Sequence, residues 1–312
     1  MIDNHSSRRG FCAGAATAAA AATIARAQGD DPIPIIDTHF HLYDQTRPQG
    51  APYPFTPNAP PFLPRDFRAT ATPLGIVGGI KVEASPWVED NLWVLMIIEN
   101  EPMIVGMVGN LDPAKPEFRE YLERYHRNKL FLGIRYGNIW EGHNLVTAID
   151  NPAFIANMKA FAQTGLTLEV ANPRLDLIDA TVRLTDKVPE LRAVLGHLQA
   201  LPLPTAPDLL KSYSNNLKEL KQRKAYAKVS GIPGSRPNTP FDPAIYKPGL
   251  DFIWDIFGED LIVYAGRSKK ALEILQPYFL AKGRMAAEKY FWRNSVSAFK
   301  WIRRDPKQPQ LA

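Results

Sequence analysis

The sequence has little cysteine: Cys12 is the only one in 312 residues. It lies in an N-terminal segment with the features of an export signal, so the chain after that segment has no thiol. This excludes disulfide bonds, a cysteine nucleophile and cysteine metal ligands from the mature protein. The sequence also lacks a G-x-G-x-x-G pattern and a P-loop, which argues against a doubly wound nucleotide-binding sheet.

Charge of one sign is not concentrated in any part of the chain. The formal net charge is +5, but the basic residues are spread along the sequence and mixed with acidic ones. No arginine-rich arm or recognition motif is present, so the pattern does not indicate a nucleic-acid partner. No apolar run is long enough to span a membrane. We therefore expect a small-molecule substrate as the partner, and the oligomeric state is not indicated.

The first 27 residues contain the parts of an export signal in the usual order. The pair Arg8-Arg9 precedes a mildly apolar run over residues 13–25, and Ala25-Arg26-Ala27 is a small-x-small cleavage pattern. The twin arginine resembles a Tat signal, which predicts export to the periplasm with cleavage after Ala27. The alternative is an alanine-rich disordered N-terminus. The predicted domains are a signal at 1–27 and one domain at 28–312.

Short β-rich runs alternate with longer amphipathic runs from residue 33 onward. Several short runs are apolar on both faces, as in parallel strands covered by helices. Eight such alternations predict a single (β/α)8 TIM barrel of the α/β class, followed by a C-terminal helical tail. The predicted strands are Ile35–His41, Gly79–Ala84, Ile104–Leu111, Leu130–Tyr136, Leu166–Ala171, Ala193–His197, Ala225–Ser230 and Leu261–Tyr264.

The runs between these strands predict the helices of the barrel. The proline-rich stretch Pro48–Pro64 instead predicts a long irregular loop over the active face. The predicted helices are Trp87–Asn100, Pro116–Arg127, Asn151–Gln163, Leu175–Lys187, Ala206–Arg223, Tyr246–Phe257, Lys269–Ala281 and the tail Arg284–Trp301.

Two histidines, His39 and His41, occupy alternate positions at the end of the first predicted strand. Alternate residues of a strand point to the same side, so both imidazoles should face the barrel mouth, where TIM-barrel enzymes keep their active sites. Such a pair can hold a divalent metal or polarise a substrate. The alternative is two hydrogen-bonded histidines in a loop. Asp37, at the middle of the strand, is expected to be structural.

Several runs together resemble the amidohydrolase superfamily, and more closely its amidohydrolase-related branch, which includes 2-pyrone-4,6-dicarboxylate lactonase and sugar-lactone hydrolases. The resemblance covers nearly the whole chain after the signal. It implies a lactonase-like hydrolase on a TIM barrel. The runs that carry it are DTHFHLYD, KVEASPWVEDNLWVL, IVGMVGNLDP, FLGIRYG, LTDKVPELRAVLGHL, AKVSGI and KYFWRNS.

The resemblance also implies further site residues. His197, after the sixth strand, would be a catalytic group beside His39 and His41, and the three would be the ligands of any divalent metal, zinc or manganese, that is bound. Glu83 and Arg135, by their own positions near the ends of the second and fourth strands, are candidates for binding substrate, with a structural ion pair between strands as the alternative. The weaker candidates for substrate binding are Asn110, Tyr136 and Asn172. His143 should line the mouth, and His126 should lie on the surface.

The sequence departs from the family pattern at two strands. In the fifth, Glu169 and Asn172 stand in the region where members with two metals carry a histidine, which argues against a binuclear site. After the eighth, the family has a Ser-Asp-Trp-Pro-like turn whose aspartate is a metal ligand or general base in many members. Here Arg267 and Ser268 occupy the turn, and neither is a good base near neutral pH.

Two functional hypotheses follow. In the first, the protein is a hydrolase in which water attacks a lactone or ester carbonyl that the histidines polarise, with or without one metal. Arg135 orients an acidic or sugar-derived substrate, and Glu83 or Glu169 replaces the missing acid. In the second, the barrel is degenerate and binds a ligand without turnover, because loss of a general base costs roughly 10²–10⁴-fold in rate.

Overall fold

The computed structural model describes residues 31–50, 53, 58–171, 174–198, 203–232 and 241–311. Its contacts divide the chain into a unit at 1–33 and a unit at 34–312, and the second contains all the elements below. The predicted signal at 1–27 and the candidate Asn172 lie outside the described residues. Within the described ranges, no helix has the length and apolarity needed to cross a membrane.

Eight parallel strands form one sheet in the order in which they occur along the chain. Helices separate successive strands, which confirms the predicted (β/α)8 TIM barrel. Most predicted strand bounds differ from the observed ones by one to three residues. The strands are β1 (Ile35–Phe40), β2 (Ile76–Val82), β3 (Ile104–Gly109), β4 (Phe131–Gly137), β5 (Thr167–Ala171), β6 (Arg192–Leu195), β7 (Tyr226–Val229) and β8 (Ile262–Tyr264).

The helices cover the outer face of the barrel. The helices at Pro64–Ala71 and Leu145–Ala148 were not predicted from the sequence, and the predicted tail is divided into a helix at Arg284–Glu288, a π-helical turn at Lys289–Arg293 and a helix at Asn294–Phe299. The helices are α1 (Pro64–Ala71), α2 (Asp90–Ile98), α3 (Phe118–Tyr125), α4 (Leu145–Ala148), α5 (Pro152–Gln163), α6 (Leu175–Lys187), α7 (Pro207–Gln222), α8 (Pro243–Phe257), α9 (Lys269–Ala281), α10 (Arg284–Glu288) and α11 (Asn294–Phe299).

Side-chain hydrogen bonds join the first and last strands of the barrel. Thr38 Oγ1 donates to the backbone oxygen of Tyr264 at 2.6 Å. The backbone N–H of Gly266 donates to Asp37 Oδ1 at 2.9 Å. Asp37 is completely buried, so its carboxylate links β1 to the turn after β8, which agrees with the predicted structural role.

The chain after α11 packs under the amino-terminal ends of β2 and β3. Arg304 Nη1 donates to the backbone oxygens of Ile98 and Ile104, and Gln308 Nε2 donates to that of Val77. These bonds satisfy carbonyl groups that would otherwise be left at the bottom of the barrel. The carboxyl-terminal ends of the strands, which lie at the opposite end, carry the candidate site.

An ion pair, a hydrogen bond and a cation–π contact hold the long loop after β1 against α2. Arg47 Nη2 donates to Asp90 Oδ1 at 2.7 Å and to Tyr53 Oη at 2.9 Å, and its guanidinium lies 3.7 Å from the ring centre of Trp93. Asp90 is buried. These contacts anchor Arg47, just before the predicted irregular loop, and Tyr53 within it beside the carboxyl end of β2.

Candidate active site

His39 and His41 lie next to each other at the carboxyl end of β1, as the alternation of the strand predicts. Their ring centres are 5.0 Å apart and the rings are nearly perpendicular. The Nδ1 of His41 lies 3.1 Å from the backbone oxygen of Val82. A carbonyl oxygen only accepts hydrogen bonds, so Nδ1 carries the hydrogen and Nε2 of the neutral ring keeps a free lone pair. His41 is thereby oriented as a proton acceptor.

His197 brings the third imidazole to the same place from the loop after β6. Its ring centre lies 4.3 Å from that of His39. Its backbone has a φ of 57°, in the left-handed region that costs a non-glycine residue about 1–2 kcal/mol. Nδ1 of His197 is 2.6 Å from Ser230 Oγ at the end of β7. The strained backbone and this hydrogen bond together hold the ring against His39, so the structure brings the three predicted histidines together.

The environment keeps the three imidazoles neutral at pH 7. Burial, with a smaller contribution from the positive charge of Arg135, lowers the pKa of His41 to about 4 and that of His197 to about 3. Burial also lowers the pKa of His39 well below its usual value, with contributions from His197 and Lys228. Neutral imidazoles can accept a proton, which is the state a general base requires.

Four charged side chains form a row across the interior of the barrel below the histidines. They alternate in sign, and all are buried: Glu83 after β2, Arg135 on β4, Glu169 on β5 and Lys228 on β7. Arg135 Nη1 is 3.7 Å from Glu83 Oε1, and its Nε is 3.8 Å from Glu169 Oε1. Lys228 Nζ donates to Glu169 Oε2. We call these four residues the ionic row.

A close approach of two strands places Arg135 beside Glu169. Gly133 on β4 pairs with Thr167 on β5, and two residues further on Arg135 pairs with Glu169. A Cβ atom at Gly133 would lie 2.0 Å from the backbone oxygen of Thr167. Only glycine therefore allows this register, which sets the two opposite charges side by side.

The carboxylates of Glu169 and Glu83 have different contacts. Glu169 Oε1 is 3.3 Å from His39 Nδ1, and its other oxygen is bound by Lys228. Glu83 accepts one hydrogen bond, from Trp140 Nε1 at 3.0 Å. Burial raises the pKa of Glu83 to about 7, although Arg135 and Lys81 oppose the shift. Glu83 can therefore exchange a proton near neutral pH.

The turn after β8 supplies no acid, as the sequence indicates. Arg267 Nη1 lies 4.0 Å from Asp37 Oδ2, and its guanidinium lies 4.8 Å from the ring centre of Phe62. Burial raises the pKa of Asp37 to about 6, and the backbone N–H groups of Gly266 and His39 oppose that shift. This part of the barrel is a structural contact between β1 and β8.

The structure places the remaining candidates away from the histidines. Tyr136 follows Arg135 on β4, so it points to the opposite side of the strand, where its ring stacks on His143 with centres 5.1 Å apart. Asn110 is buried, and its Nδ2 donates to the backbone oxygen of Ser85 at 3.0 Å. Asn110 and His143 both line a cavity of about 260 Å³ beside the carboxyl ends of β3 and β4. His126 directly follows α3 and has a partly exposed side chain.

The donor set does not fit a tightly bound divalent metal. In the described part of the chain, no group of three or more histidine, cysteine, aspartate or glutamate side chains is arranged to hold a metal ion. Both oxygens of Glu169 already contact Lys228, Arg135 or His39. A metal at the histidines would also lie close to two buried cations, which repel it.

A family comparison identifies the family of the chain. The amidohydrolase family model matches residues 36–266, which run from β1 to the turn after β8. The chain therefore belongs to the amidohydrolase family, which confirms the resemblance seen in the sequence. This membership supports a hydrolase. None of the curated proteins matches the sequence.

Solved structures with the same fold have low sequence identity. An amidohydrolase from Burkholderia multivorans with bound HEPES is 15% identical, with a TM-score of 0.70, over 86% of this chain and 99% of that one. A probable 2-pyrone-4,6-dicarboxylic acid hydrolase from Acinetobacter baumannii, with citric acid bound, is 14% identical, with a TM-score of 0.65, over 86% and 99%.

Other structures of this fold contain metals. A second crystal form of the Burkholderia protein contains zinc. A 5-carboxyvanillate decarboxylase from Novosphingobium aromaticivorans, complexed with manganese and a nitrobenzoic acid, is 16% identical, with a TM-score of 0.62, over 87% of this chain and 97% of that one. At these identities the likeness concerns the fold. Metal in those proteins is not evidence for metal in this chain.

Sequence reasoning missed three residues of the site. Lys228 completes the ionic row, Ser230 holds His197, and Trp140 binds Glu83. The only signal for Lys228 was a lysine inside the otherwise apolar run of β7, Tyr-Ala-Lys-Val. Such a lysine requires a buried acidic partner, and that partner, Glu169, is 59 residues away.

Proposed function

We propose that this protein hydrolyses a small acidic or sugar-derived lactone or ester by attack of water on its carbonyl carbon, without a metal. The observation that carries the proposal is the convergence of three neutral imidazoles on a rim directly beside buried cations. Family membership supports the hydrolase class. The lactone substrate rests on the sequence resemblance and on the charge of the site.

The charge of the site favours an anionic substrate. Arg135 and Lys228 contribute two positive charges to the ionic row, and Glu169 contributes one negative charge. Burial raises the pKa of Glu83 to about 7, so at neutral pH this carboxyl is partly protonated and the row has a net positive charge. The planar guanidinium of Arg135 can bind a carboxylate through two parallel hydrogen bonds. We therefore assign the orientation of an acidic substrate to Arg135.

In the proposed reaction His41 is the general base. Its Nε2 takes a proton from water, and the resulting hydroxide adds to the substrate carbonyl carbon. The positive charge of Arg135, whose hydrogen bonds hold the substrate carboxylate, also stabilises the negative charge that develops on the carbonyl oxygen. The negative charge of the bound substrate also raises the proton affinity of His41 at this moment, because it offsets the nearby cations.

Glu83 is the general acid in the second step. The tetrahedral intermediate expels the alkoxide of the lactone, and a proton from Glu83 neutralises it. A raised pKa of Glu83 and a lowered pKa of His41 keep the acid protonated and the base free over the same pH range. This is the separation of pKa values that acid–base pairs use. In this proposal His41 takes the part of general base that the aspartate after β8 plays in many relatives, and Glu83 supplies the acid.

A panel of lactones tests the function. The protein without residues 1–27, treated with a chelator, is assayed against acidic, sugar-derived and neutral lactones beside His39→Ala. We expect hydrolysis of acidic lactones by the wild type and its loss in the variant. Binding without turnover in the whole panel would instead support the degenerate-barrel alternative.

Export is a separate proposal that rests on residues 1–27. Expression of the full chain in a bacterium with and without the Tat system, followed by N-terminal sequencing of the periplasmic fraction, tests it. We expect a mature protein beginning at Gln28 only when the Tat system is present. Full-length protein retained in the cytoplasm of both strains would contradict the proposal.

A further inference from the structure

Lys228 is a completely buried lysine at the centre of the barrel. Its Nζ donates to Glu169 Oε2 and to the backbone oxygen of Thr38, which is 2.9 Å away. It thereby connects β7 with β5 and with β1, one residue before His39. A buried charge is retained only when it is paired and hydrogen-bonded, and Lys228 meets both conditions.

Cations flank both oxygens of the Glu169 carboxylate, and its Oε1 atom makes no hydrogen bond within the described residues. Lys228 binds one oxygen of Glu169. The other oxygen lies 3.8 Å from Arg135 Nε and 3.3 Å from His39 Nδ1. Lys228 Nζ also bonds the backbone oxygen of Thr38, one residue before His39, and the carboxylate whose other oxygen lies 3.3 Å from His39 Nδ1, so its charge lies close to the imidazoles. Its ammonium group therefore has the carboxylate contact and the proximity to histidine that a bound metal cation would have.

We propose that the Lys228 ammonium group is a built-in cation that takes the place of a divalent metal and keeps the three histidines free of metal. The proposal rests on the ionic row and not on the hydrolytic reaction, so it can stand or fall independently of the function. It predicts that a divalent metal binds once the ammonium group is removed. Glu169 would then be free to join His39, His41 and His197, a nitrogen and oxygen donor set that suits zinc.

The experiment compares wild type, Lys228→Met and Lys81→Met. Methionine keeps the length and volume of the lysine chain and removes its charge. Lys81 is the matched control because it is also a buried lysine of a barrel strand, but its acidic neighbours are Asp90 and Glu83. Each protein is treated with a chelator, incubated with zinc and desalted. Bound zinc is then measured by mass spectrometry, and the dissociation constant by calorimetry.

We expect Lys228→Met to retain about one zinc per chain and to bind zinc at least about tenfold more tightly than wild type or Lys81→Met. The gain should disappear in Lys228→Met/His39→Ala. A purely structural role for Lys228 would change stability but not produce a zinc site. Folded Lys228→Met that holds no more zinc than the two reference proteins would overturn the proposal.

Removing one partner of a buried ion pair is strongly destabilising, so Lys228→Met could fail to fold. Two further measurements test the proposal in that case. Lys228→Gln keeps a hydrogen-bond donor for Glu169 and Thr38 and removes only the charge, so the same zinc gain is expected from it. Zinc binding by the wild type is an independent test. If the wild type retains about one zinc per chain and loses it in His39→Ala, the proposal is wrong whatever the variants do.

Discussion

His41 Nδ1 and the backbone oxygen of Val82 lie 3.1 Å apart and fix the state of the His41 ring. The hydrogen bond joins the end of β1 to the end of β2 and assigns the hydrogen to Nδ1. Nε2 is left as the acceptor that can deprotonate water. The same bond places the imidazole beside the residue that precedes Glu83, so the proposed base and acid come from neighbouring strand ends.

Replacing the base should remove most of the activity. Asparagine at His41 can still donate a hydrogen bond to Val82 but cannot accept a proton near neutral pH. We expect His41→Asn to lower kcat by roughly 10²–10⁴-fold with a small change in KM. Steady-state kinetics on the best substrate measures this. His126→Asn is the control, and an equal loss in both variants would contradict the assignment.

The pH dependence of kcat/KM should be bell-shaped, with a broad maximum between the two pKa values. His41 must be neutral, and burial sets its pKa at about 4, so activity falls below that pH. Glu83 must be protonated, and burial raises its pKa to about 7, so activity falls above that pH. Glu83→Gln should lower the rate and abolish the alkaline fall. If kcat/KM of this variant still falls at high pH, the fall is caused by the titration of a group other than Glu83.

Substitution of Arg135 by lysine should change substrate preference. Lysine keeps the positive charge between Glu83 and Glu169 but loses the planar pair of donors. We expect KM for acidic lactones to rise roughly tenfold, since a charge-assisted hydrogen bond contributes about 1.5–3 kcal/mol, while KM for neutral lactones changes little. Arg119→Lys, at an exposed arginine, is the control. An equal change in KM for acidic and neutral lactones would show that Arg135 does not recognise the negative charge of the substrate.

The buried carboxyl of Asp37 makes stability depend on pH. Burial raises its folded-state pKa from 3.8 to about 6, so the folded chain holds the proton more tightly than the unfolded chain. Its contribution to the free energy of unfolding is therefore largest below pH 4 and declines as pH rises towards 6, by on the order of 2–3 kcal/mol.

Asp37→Asn removes this titration and provides the test. Urea unfolding at several pH values between 4.5 and 7.5 should show the variant gaining stability relative to wild type as pH rises. The hydrogen bond from Gly266 can still be accepted by the amide oxygen, so the variant is expected to fold. A stability difference that stays constant across this range would mean that Asp37 has an ordinary pKa.

The sequence was sufficient for the fold because barrel strands and helices have strong local signals. Runs that are apolar on both faces located the eight strands. The alternate positions of His39 and His41 on β1 predicted that their two imidazoles point to the same side of the strand. The bounds of α6 and α9 agree with the prediction. Helix α4 was missed because four residues are too few for a periodic pattern, and α1 because it begins at Pro64, the last residue of the proline-rich run.

The site was predictable only where chemistry is visible in a short motif. The three histidines came from such motifs and proved to be neighbours. The pairing of Glu169 with Lys228 was not predictable, because it joins two strands through a contact between distant positions. The left-handed backbone of His197 was not predictable either, since it depends on the hydrogen bond with Ser230 from another strand.

The most direct test of the account is turnover of an acidic lactone in ¹⁸O-labelled water by the chelator-treated protein. Attack of water on the carbonyl carbon predicts one ¹⁸O atom in the carboxylate of the ring-opened product, detected by mass spectrometry as an increase of about 2 Da, with no incorporation in His41→Asn. Release of carbon dioxide, or turnover that requires added zinc or manganese, would contradict metal-free hydrolysis by His41 and Glu83.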